Sequence, residues 1–475
     1  MGTRLSLLAV LMIWVFGGLQ AQNTEQEVKI TLEQAIEMAL ANNPQINRAL
    51  LAIDDADELV NIAYSEVYPD IASSINYTRN IEIPVQFLPG EFFGGQPGTL
   101  VPISFGTDNN WQGGFTVTQN LFKGEALVAL KSSAVYRKVQ EEAYRSTSQQ
   151  IITQTRIAYY GVLAAQEQLR LANAQIRRLE TNLKENEARA EAGIVDDYAV
   201  LQLKVQLSNQ KPQQIEAKYA VDEAYRNLNV AIGLSLSVNL SVQGNLNEFD
   251  ILAKEVNDPE NGNLKKIDQM NPFSFGNSEV DSSALADNRG DVRIAEAQLR
   301  LKEKEILAVK SRFLPTLTAS YNLQWSSAEP GTPTFFENAN RFQTLGVNLS
   351  LPIFKGFSRM AELDRQRIQF KDIEEQKRMA ILMAQNEVAS AGEELNKIFE
   401  TATARKQALE QANTGYNRAK KRLEGGLGSQ LELTEAEIQV REAEVNYAIM
   451  VFNYLTAKAN YDLATGMVPF VDTNN

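Results

Sequence analysis

Twice in this chain a short stretch of alternating apolar and polar residues ends in Phe-Lys-Gly and runs into a long tract without proline. The clearer copy is Thr344–Gly356, TLGVNLSLPIFKG. Leu345, Val347, Leu349 and Leu351 are apolar, and Gly346, Asn348 and Ser350 between them are small or polar, the period of a strand with unlike faces. Pro352 has no N–H to give to a ladder and predicts the strand's end. No further proline occurs before Pro469. The earlier copy, Gly113–Gly124 (GGFTVTQNLFKG), opens a tract free of proline up to Pro212. A short strand feeding a very long helix, twice, does not suit one compact globular domain.

The doubling extends over most of the chain. Tyr68-Pro69-Asp70-Ile71 matches Leu314-Pro315-Thr316-Leu317 at an offset of 246 residues, and the two Phe-Lys-Gly corners are offset by 232. Arg189–Gly193 (RAEAG) matches Arg422–Gly426 (RLEGG), and Leu228–Gly233 (LNVAIG) matches Tyr461–Gly466 (YDLATG), both at 233. Four landmarks in one order mean two copies of one unit, the first with about fourteen extra residues between its strands. The predicted boundaries are a signal peptide over 1–21, a first structural repeat over 22–236, an irregular insert over 237–285 and a second repeat over 286–475. Strands are expected near 69–81 and 113–122 in the first repeat and near 315–325 and 343–352 in the second.

Within each copy the periods change from 3.6 to 2 to 7. Thr31–Leu40 places Leu32, Ala35, Ile36 and Ala39 on one helical face. In the second copy Leu317, Ala319, Tyr321, Leu323 and Trp325 alternate with Thr316, Thr318, Ser320, Asn322 and Gln324, about the ten residues a tilted strand needs to cross a bilayer. A soluble sandwich would show the same alternation, but four strands are too few to close one. The parity assigns Leu317, Tyr321, Leu323, Leu345, Val347, Leu349 and Leu351 to lipid. Glu82–Asn110 and Ser326–Asn340 read as exposed loops. Trp111 and Trp325, at strand ends, suit either an aromatic girdle or ordinary core packing.

The long tracts carry heptads. Ile151, Thr155, Ala158, Val162, Ala165, Leu169, Ala172, Ile176 and Leu179 recur at coiled-coil spacing, as do Ala384, Val388, Ala391, Leu395, Ile398 and Ala402, with Arg405 a misfit. About seventy helical residues reach roughly 100 Å. Gly193 and Gly426 are placed to cap these helices in the left-handed conformation, and Asp196 and Ser429 to start return helices.

Composition excludes several chemistries. There is no histidine and no cysteine, which removes the usual nucleophile–base pairs, disulfides and most transition-metal sites. The net charge of −13 disfavours nucleic acid as a partner. Met1–Arg4, the apolar run Leu5–Phe16 and Leu19-Gln20-Ala21 form a secretory signal, and no later stretch is long and apolar enough for a spanning helix. Neither a catalytic constellation nor a cofactor motif is present, so the chain is expected not to be an enzyme.

In these features the chain resembles the TolC-like outer-membrane efflux channels: the duplicated helix–strand–strand–helix–helix unit, the corner LPIFKG at Leu351–Gly356, and the two R-x-x-x-G corners. Asn120 departs from the pattern where the first corner would carry proline, and the lack of cysteine excludes the lipidated branch. The resemblance implies an α+β membrane protein, a homotrimer in which each chain gives four transmembrane strands to a twelve-stranded β-barrel continued by a long α-helical coiled-coil barrel in the periplasm. Its implied role is the passive outer-membrane exit duct of a tripartite efflux or type I secretion system, with a periplasmic adaptor and an RND-type or ABC-type inner-membrane pump as partners. The corners Arg189, Gly193, Arg422 and Gly426 are the expected adaptor contact. Glu432 and Glu435, six and nine residues after Gly426, match acidic residues that ring the inner mouth of such channels. Ser429 to Glu432 also fits a capping box, which would give Glu432 a backbone role. The family's closing latch does not carry over, since Leu423 and Gly428 stand at its positions. A trimeric coiled-coil stalk or adhesin is the alternative that heptads alone allow; a carboxylate-based hydrolase lacks any pocket-forming setting for its acids.

Overall fold

The computed structural model describes residues 28–249, 288–334 and 338–468. The signal segment 1–21 and most of the insert lie outside them. In chain order the elements are β1 (Val28–Ile30), α1 (Leu32–Asn42), α2 (Pro44–Ser65), β2 (Asp70–Arg79), β3 (Val85–Pro89), β4 (Leu100–Ser104), β5 (Asn109–Phe122), α3 (Gly124–Glu191) and α4 (Asp197–Ile232). Then follow β6 (Leu240–Val242), α5 (Gly290–Ser311), β7 (Thr316–Glu329), β8 (Asn340–Ser350), α6 (Ser358–Glu424) and α7 (Gln430–Ala464). The chain divides into two compact units: a helical unit from the described parts of Met1–Asn47, Ser146–Arg289 and Ala384–Asn475, and a sheet unit of Arg48–Arg145 and Gly290–Met383.

The sheet unit is built on one antiparallel sheet in the order β2-β5-β7-β8. The helices that deliver the chain to it, α2 and α5, both have 22 residues and end one turn before Pro69 and Pro315, where continuation would require an N–H that proline lacks. The expectation of only four strands is corrected here. The segment read as a loop over Glu82–Asn110 contains the hairpin β3–β4, and β1 pairs in parallel with β6 in the helical unit. The hairpin is not legible from composition because Pro89 and Pro102 lie within its strands and glycines crowd the tight turn at Gly90–Phe93 between them, so the whole segment has a loop's composition. At the upper end of β5, Asn109 donates from Nδ2 to the carbonyls of Glu329 and Gly331, which carries the ladder beyond the apolar stretch.

The core of the helical unit lies where α1, α3, α4, α6 and α7 meet β1 and β6. Leu32, Ile36, Ile152, Tyr159, Tyr160, Leu163, Leu228, Ile232, Leu246, Leu395 and Leu455 are buried in one cluster. Thr31 and Gln34 exchange both bonds of a capping box at the head of α1. Tyr159 donates to the Gln243 carbonyl at 2.6 Å, and burial pushes its hydroxyl pKa up. The heptad positions of α6 form one buried stripe through Ala384, Val388, Leu395, Ile398 and Ala402, with Arg405 exposed where it breaks. Around residues 151–163, α3 is buried on more than one face, because α1 and the β1–β6 pair cover it from a second side.

Candidate functional site

Three places follow from the sequence, and the structure describes each within its own unit. In the sheet unit the register brings the apolar alternation of all four strands onto one face. Leu317 lies across from Leu349, Ala319 from Val347, Tyr321 from Leu345, and on the other side Tyr321 faces Val117 and Leu323 faces Phe115. Ile71 continues the row opposite Val117. The opposite face carries Thr116, Thr118, Ser320, Asn322, Thr344, Asn348 and Ser350, with Thr116 bonded to Asn322 at 2.9 Å. Leu345 is 80 % exposed and Val347 and Leu349 are each 66 % exposed, so the apolar face is bare in the single chain. Leu351 is exposed just past the ladder. The edge strands β2 and β8 are exposed along their whole lengths. Of the two tryptophans, Trp111 is buried beside Tyr77, ring centroids 4.7 Å apart, and Trp325 meets Phe115 edge-on at 6.4 Å.

The glycine corners belong to the helical unit and share one backbone motif. Gly193 (φ 71°) donates to Ala190 and Ile194 donates to Arg189; Gly426 (φ 71°) donates to Leu423 and Leu427 donates to Arg422. This pair of bonds closes the last carbonyls of α3 and α6, with the arginine two residues before each helix's last residue and its charge favourable there. Asp196 then caps α4 and Ser429 caps α7. The corners differ in side chains. Arg422 folds over its turn, with Nη2 3.3 Å from the Leu427 carbonyl and Nε 3.3 Å from Glu432. Glu432 donates its N–H to Ser429 Oγ at 3.2 Å, while its carboxylate goes to Arg422, so only half of the capping box forms. Glu435 is exposed on the same helix.

Sequence reading missed a polar seam between α3 and α7. Asn186 meets Gln430 at 3.3 Å, Asn182 donates to Glu437 at 2.7 Å, and Arg178 lies 3.4 Å from Glu444. Gln430, Glu437 and Glu444 recur every seven residues, a polar spacing that the apolar heptads do not contain. Burial raises the Glu437 carboxyl above its usual range, partly offset by the bond from Asn182, and its Oε2 has no partner among the described residues. In the sheet unit Glu142 shows the opposite balance: burial works to raise it, but the bonds from Arg293 and Lys138 outweigh this and hold it low. No cluster fit for a metal ion occurs among the described residues.

A duplicated protomer with long helices, glycine-capped helical corners and one open sheet of four strands defines the outer-membrane channel class. The chain belongs to the outer membrane efflux protein family, whose model matches residues 35–234 and 282–467. It is 22% identical over 469 residues to the alkaline protease secretion protein AprF of Pseudomonas aeruginosa, covering 97% of this chain and 90% of that one. To the outer membrane protein TolC of Escherichia coli it is 21% identical over 436 residues, covering 92% and 82%. Among solved structures it is similar in fold to the CmeC outer membrane channel of Campylobacter jejuni (TM-score 0.70, 18% identity, 92% and 85% covered). It is also similar to the MtrE outer membrane channel of Neisseria gonorrhoeae (TM-score 0.69, 17% identity, 92% and 88% covered). The protein is therefore an outer-membrane transport protein with a periplasmic helical part, and family membership sets aside the stalk or adhesin alternative.

Proposed function

We propose that three copies of this chain form a closed exit duct for a tripartite efflux or type I secretion system. The observation that supports this reading is the sheet β2-β5-β7-β8, with two unpaired edges and one bare apolar face. Unpaired backbone groups do not survive in lipid, so the edges must be joined. Successive strands alternate in direction, which makes β8 of one copy antiparallel to β2 of the next. Three copies give twelve strands. In this reading Leu317, Tyr321, Leu323, Leu345, Val347, Leu349 and Leu351 face lipid. The glycine corners at Arg189–Gly193 and Arg422–Gly426 dock an adaptor that joins the duct to an inner-membrane pump. Glu432 and Glu435 line the mouth, and six carboxylates about one axis favour cations there.

The relatives divide by cargo: AprF is named for protease secretion, OpmQ of Pseudomonas aeruginosa for pyoverdine export and TtgC of Pseudomonas putida for efflux. Passive conduction without chemistry on the cargo accommodates both polypeptides and small solutes.

The deciding experiment is conductance of the purified protein in planar bilayers, with its mass measured in mild detergent. A trimer that conducts is expected; a stable folded monomer in a silent bilayer overturns the reading. Glu432→Gln with Glu435→Gln should lower cation preference in the reversal potential, and unchanged preference would remove the mouth assignment. Charge reversal at Arg189 and Arg422 should stop export with the trimer intact, and undiminished export would remove the docking assignment.

A further inference from the structure

The two strand-to-helix corners of the sheet unit are equivalent in the repeat and differ in charge. At the first, Lys123 Nζ lies 2.6 Å from Glu66, and Asn120 donates to the Glu66 carbonyl at 3.1 Å. At the second, the repeat offsets place Lys355 where Lys123 stands, Arg312 where Glu66 stands and Phe357 where Glu125 stands. The acid that neutralises the first lysine has thus become an arginine, itself held by Glu125 at 2.6 Å. Lys355 is exposed and makes no ion pair among the described residues. Arg359 is fixed at the same corner, donating from Nη1 to the Pro352 carbonyl at 2.9 Å and lying 5.4 Å from the centre of the Phe313 ring. No acidic residue occurs from Asn338 to Ala361. The first one after it, Glu362, is engaged by Arg365 and Gln366.

The apolar residues of this corner are bare. Ile353 continues the alternation of Leu345, Val347, Leu349 and Leu351 beyond the end of the ladder and is 88 % exposed. Phe354 and Phe357 meet edge-on at 5.2 Å and both project into solvent. Phe357 has φ 61°, and among the described residues no other non-glycine residue has positive φ. A bulky side chain in that region is strained, and the ring it carries here lies exposed, outside any core.

We infer that the second corner is a phospholipid headgroup site. Lys355 and Arg359 take the phosphodiester, and Ile353 and the two phenylalanines sit at the acyl boundary beside it. Aromatic side chains favour the membrane interface, and cationic side chains there attract anionic headgroups, with arginine matching the planar spread of phosphate oxygens. The preferred lipid is anionic, of the phosphatidylglycerol type, and the first corner, internally neutralised, has no such preference. This rests on the reading that the sheet crosses lipid.

Since the chain contains no cysteine, Ile353→Cys and Leu349→Cys each carry a spin label at one place only. In the full-length protein, reconstituted in vesicles of phosphatidylethanolamine and phosphatidylglycerol, both labels should be reached by oxygen and shielded from a water-soluble nickel complex, with the label at 349 deeper. Phosphatidylglycerol retained by the purified protein, measured by native mass spectrometry, should weaken about fivefold in Lys355→Ala and stay unchanged in Lys123→Ala. A label at 353 inaccessible to both reagents, with 349 in lipid, would mean that a second copy covers the corner; the inference then fails and the membrane reading stands. Equal retention in Lys355→Ala and the unsubstituted protein would also overturn the headgroup site. Two water-exposed labels would instead sink the membrane reading itself.

Discussion

Asn43 in the first repeat and Arg289 in the second occupy the same place. Asn43 donates at 2.8 Å to the carbonyl of Ala231, and Arg289 donates at 2.8 Å to the carbonyl of Ala464. Each accepting residue stands two before the glycine that ends its return helix, Gly233 or Gly466. The backbone device is common to both repeats, while the side chain that serves it is neutral in one and charged in the other. Arg289 has also acquired Glu387, 2.7 Å away. The same divergence recurs one turn inward, where Asn229 of α4 corresponds to Asp462 of α7. Asn229 is buried and bonds the Val238 carbonyl. Asp462 is buried between Arg156, at 2.9 Å, and Lys458. Duplicated helices keep the hydrogen bonds their backbones require, and charge is free to accumulate in one copy provided each buried ion finds a partner.

The largest expected effect tests whether that charge is essential to the second repeat. Asp462→Asn installs the first repeat's residue and removes the carboxylate that Arg156 and Lys458 share. Leaving buried cations under-compensated costs about 3–5 kcal/mol, read as loss of thermal stability in the assembled protein. A cost below about 1 kcal/mol would mean that the triad is solvated and that the repeats do not differ in buried charge.

Next in size are the shared glycines, for which the repeats should behave alike. A methyl group at Gly233 (φ 83°) would lie 2.7 Å from the Asn42 carbonyl oxygen, and one at Gly466 (φ 70°) would lie 2.5 Å from the Asn288 carbonyl. Left-handed strain and overpacking together predict about 2–4 kcal/mol for either change to alanine. At Gly193 and Gly426 nothing lies near the added atom, so only the conformational cost of about 1–2 kcal/mol remains. Thermal unfolding of the four variants checks the split; a large difference between Gly233→Ala and Gly466→Ala would break the equivalence.

These positions show why part of the molecule was legible in the sequence. Gly193, Gly233, Gly426 and Gly466 hold positive φ, and a position that requires glycine in both copies survives as a repeated letter at a fixed offset. The strands were legible because apolar residues recur at alternate positions along one face, with only scattered polar ones such as Ser73 and Gln343 among them. The β3–β4 hairpin was masked by Pro89 and Pro102 within its strands; the rest of what escaped was polar, the seam of Asn182 with Glu437 and the triad at Asp462. Their partners lie far apart in the chain, as Arg156 and Asp462 do, and no periodicity of apolar residues points to them. The half-formed capping box at Ser429 shows the same limit, since Glu432 had two partners open to it and local spacing names just one.

A smaller effect separates the repeats along the seam. Glu437 corresponds to Lys204 of the first repeat, which pairs with Glu187 at 2.9 Å in an exposed setting. Burial raises the Glu437 carboxyl, so the folded state binds its proton more tightly than the unfolded chain. The destabilising contribution is therefore absent below the ordinary carboxylate range and grows as pH rises through the folded value. Glu437→Gln should gain stability near neutral pH and nothing near pH ~4, measured as paired melting curves. A gain that does not vary with pH would assign the effect to packing.

The smallest effect concerns the two glycine corners, where one arginine has a carboxylate and the other has none. Arg422 and Glu432 approach to 3.3 Å with side chains 57% and 43% exposed, while Arg189 makes no ion pair among the described residues. Two long side chains held together in water gain little after screening and lost rotamer freedom, so the coupling should be below about 0.5 kcal/mol. It should also fade at about 1 M salt, where the screening length is about 3 Å. A double-mutant cycle of Arg422→Ala and Glu432→Gln on thermal stability measures it directly. Weak coupling leaves the second corner's shape to the backbone bonds of Gly426 and Leu427, as in the first repeat, and frees the Glu432 carboxylate to serve the mouth. Coupling above about 2 kcal/mol would instead make the pair a structural clasp with no counterpart at Arg189, and the two corners would no longer be interchangeable docking points.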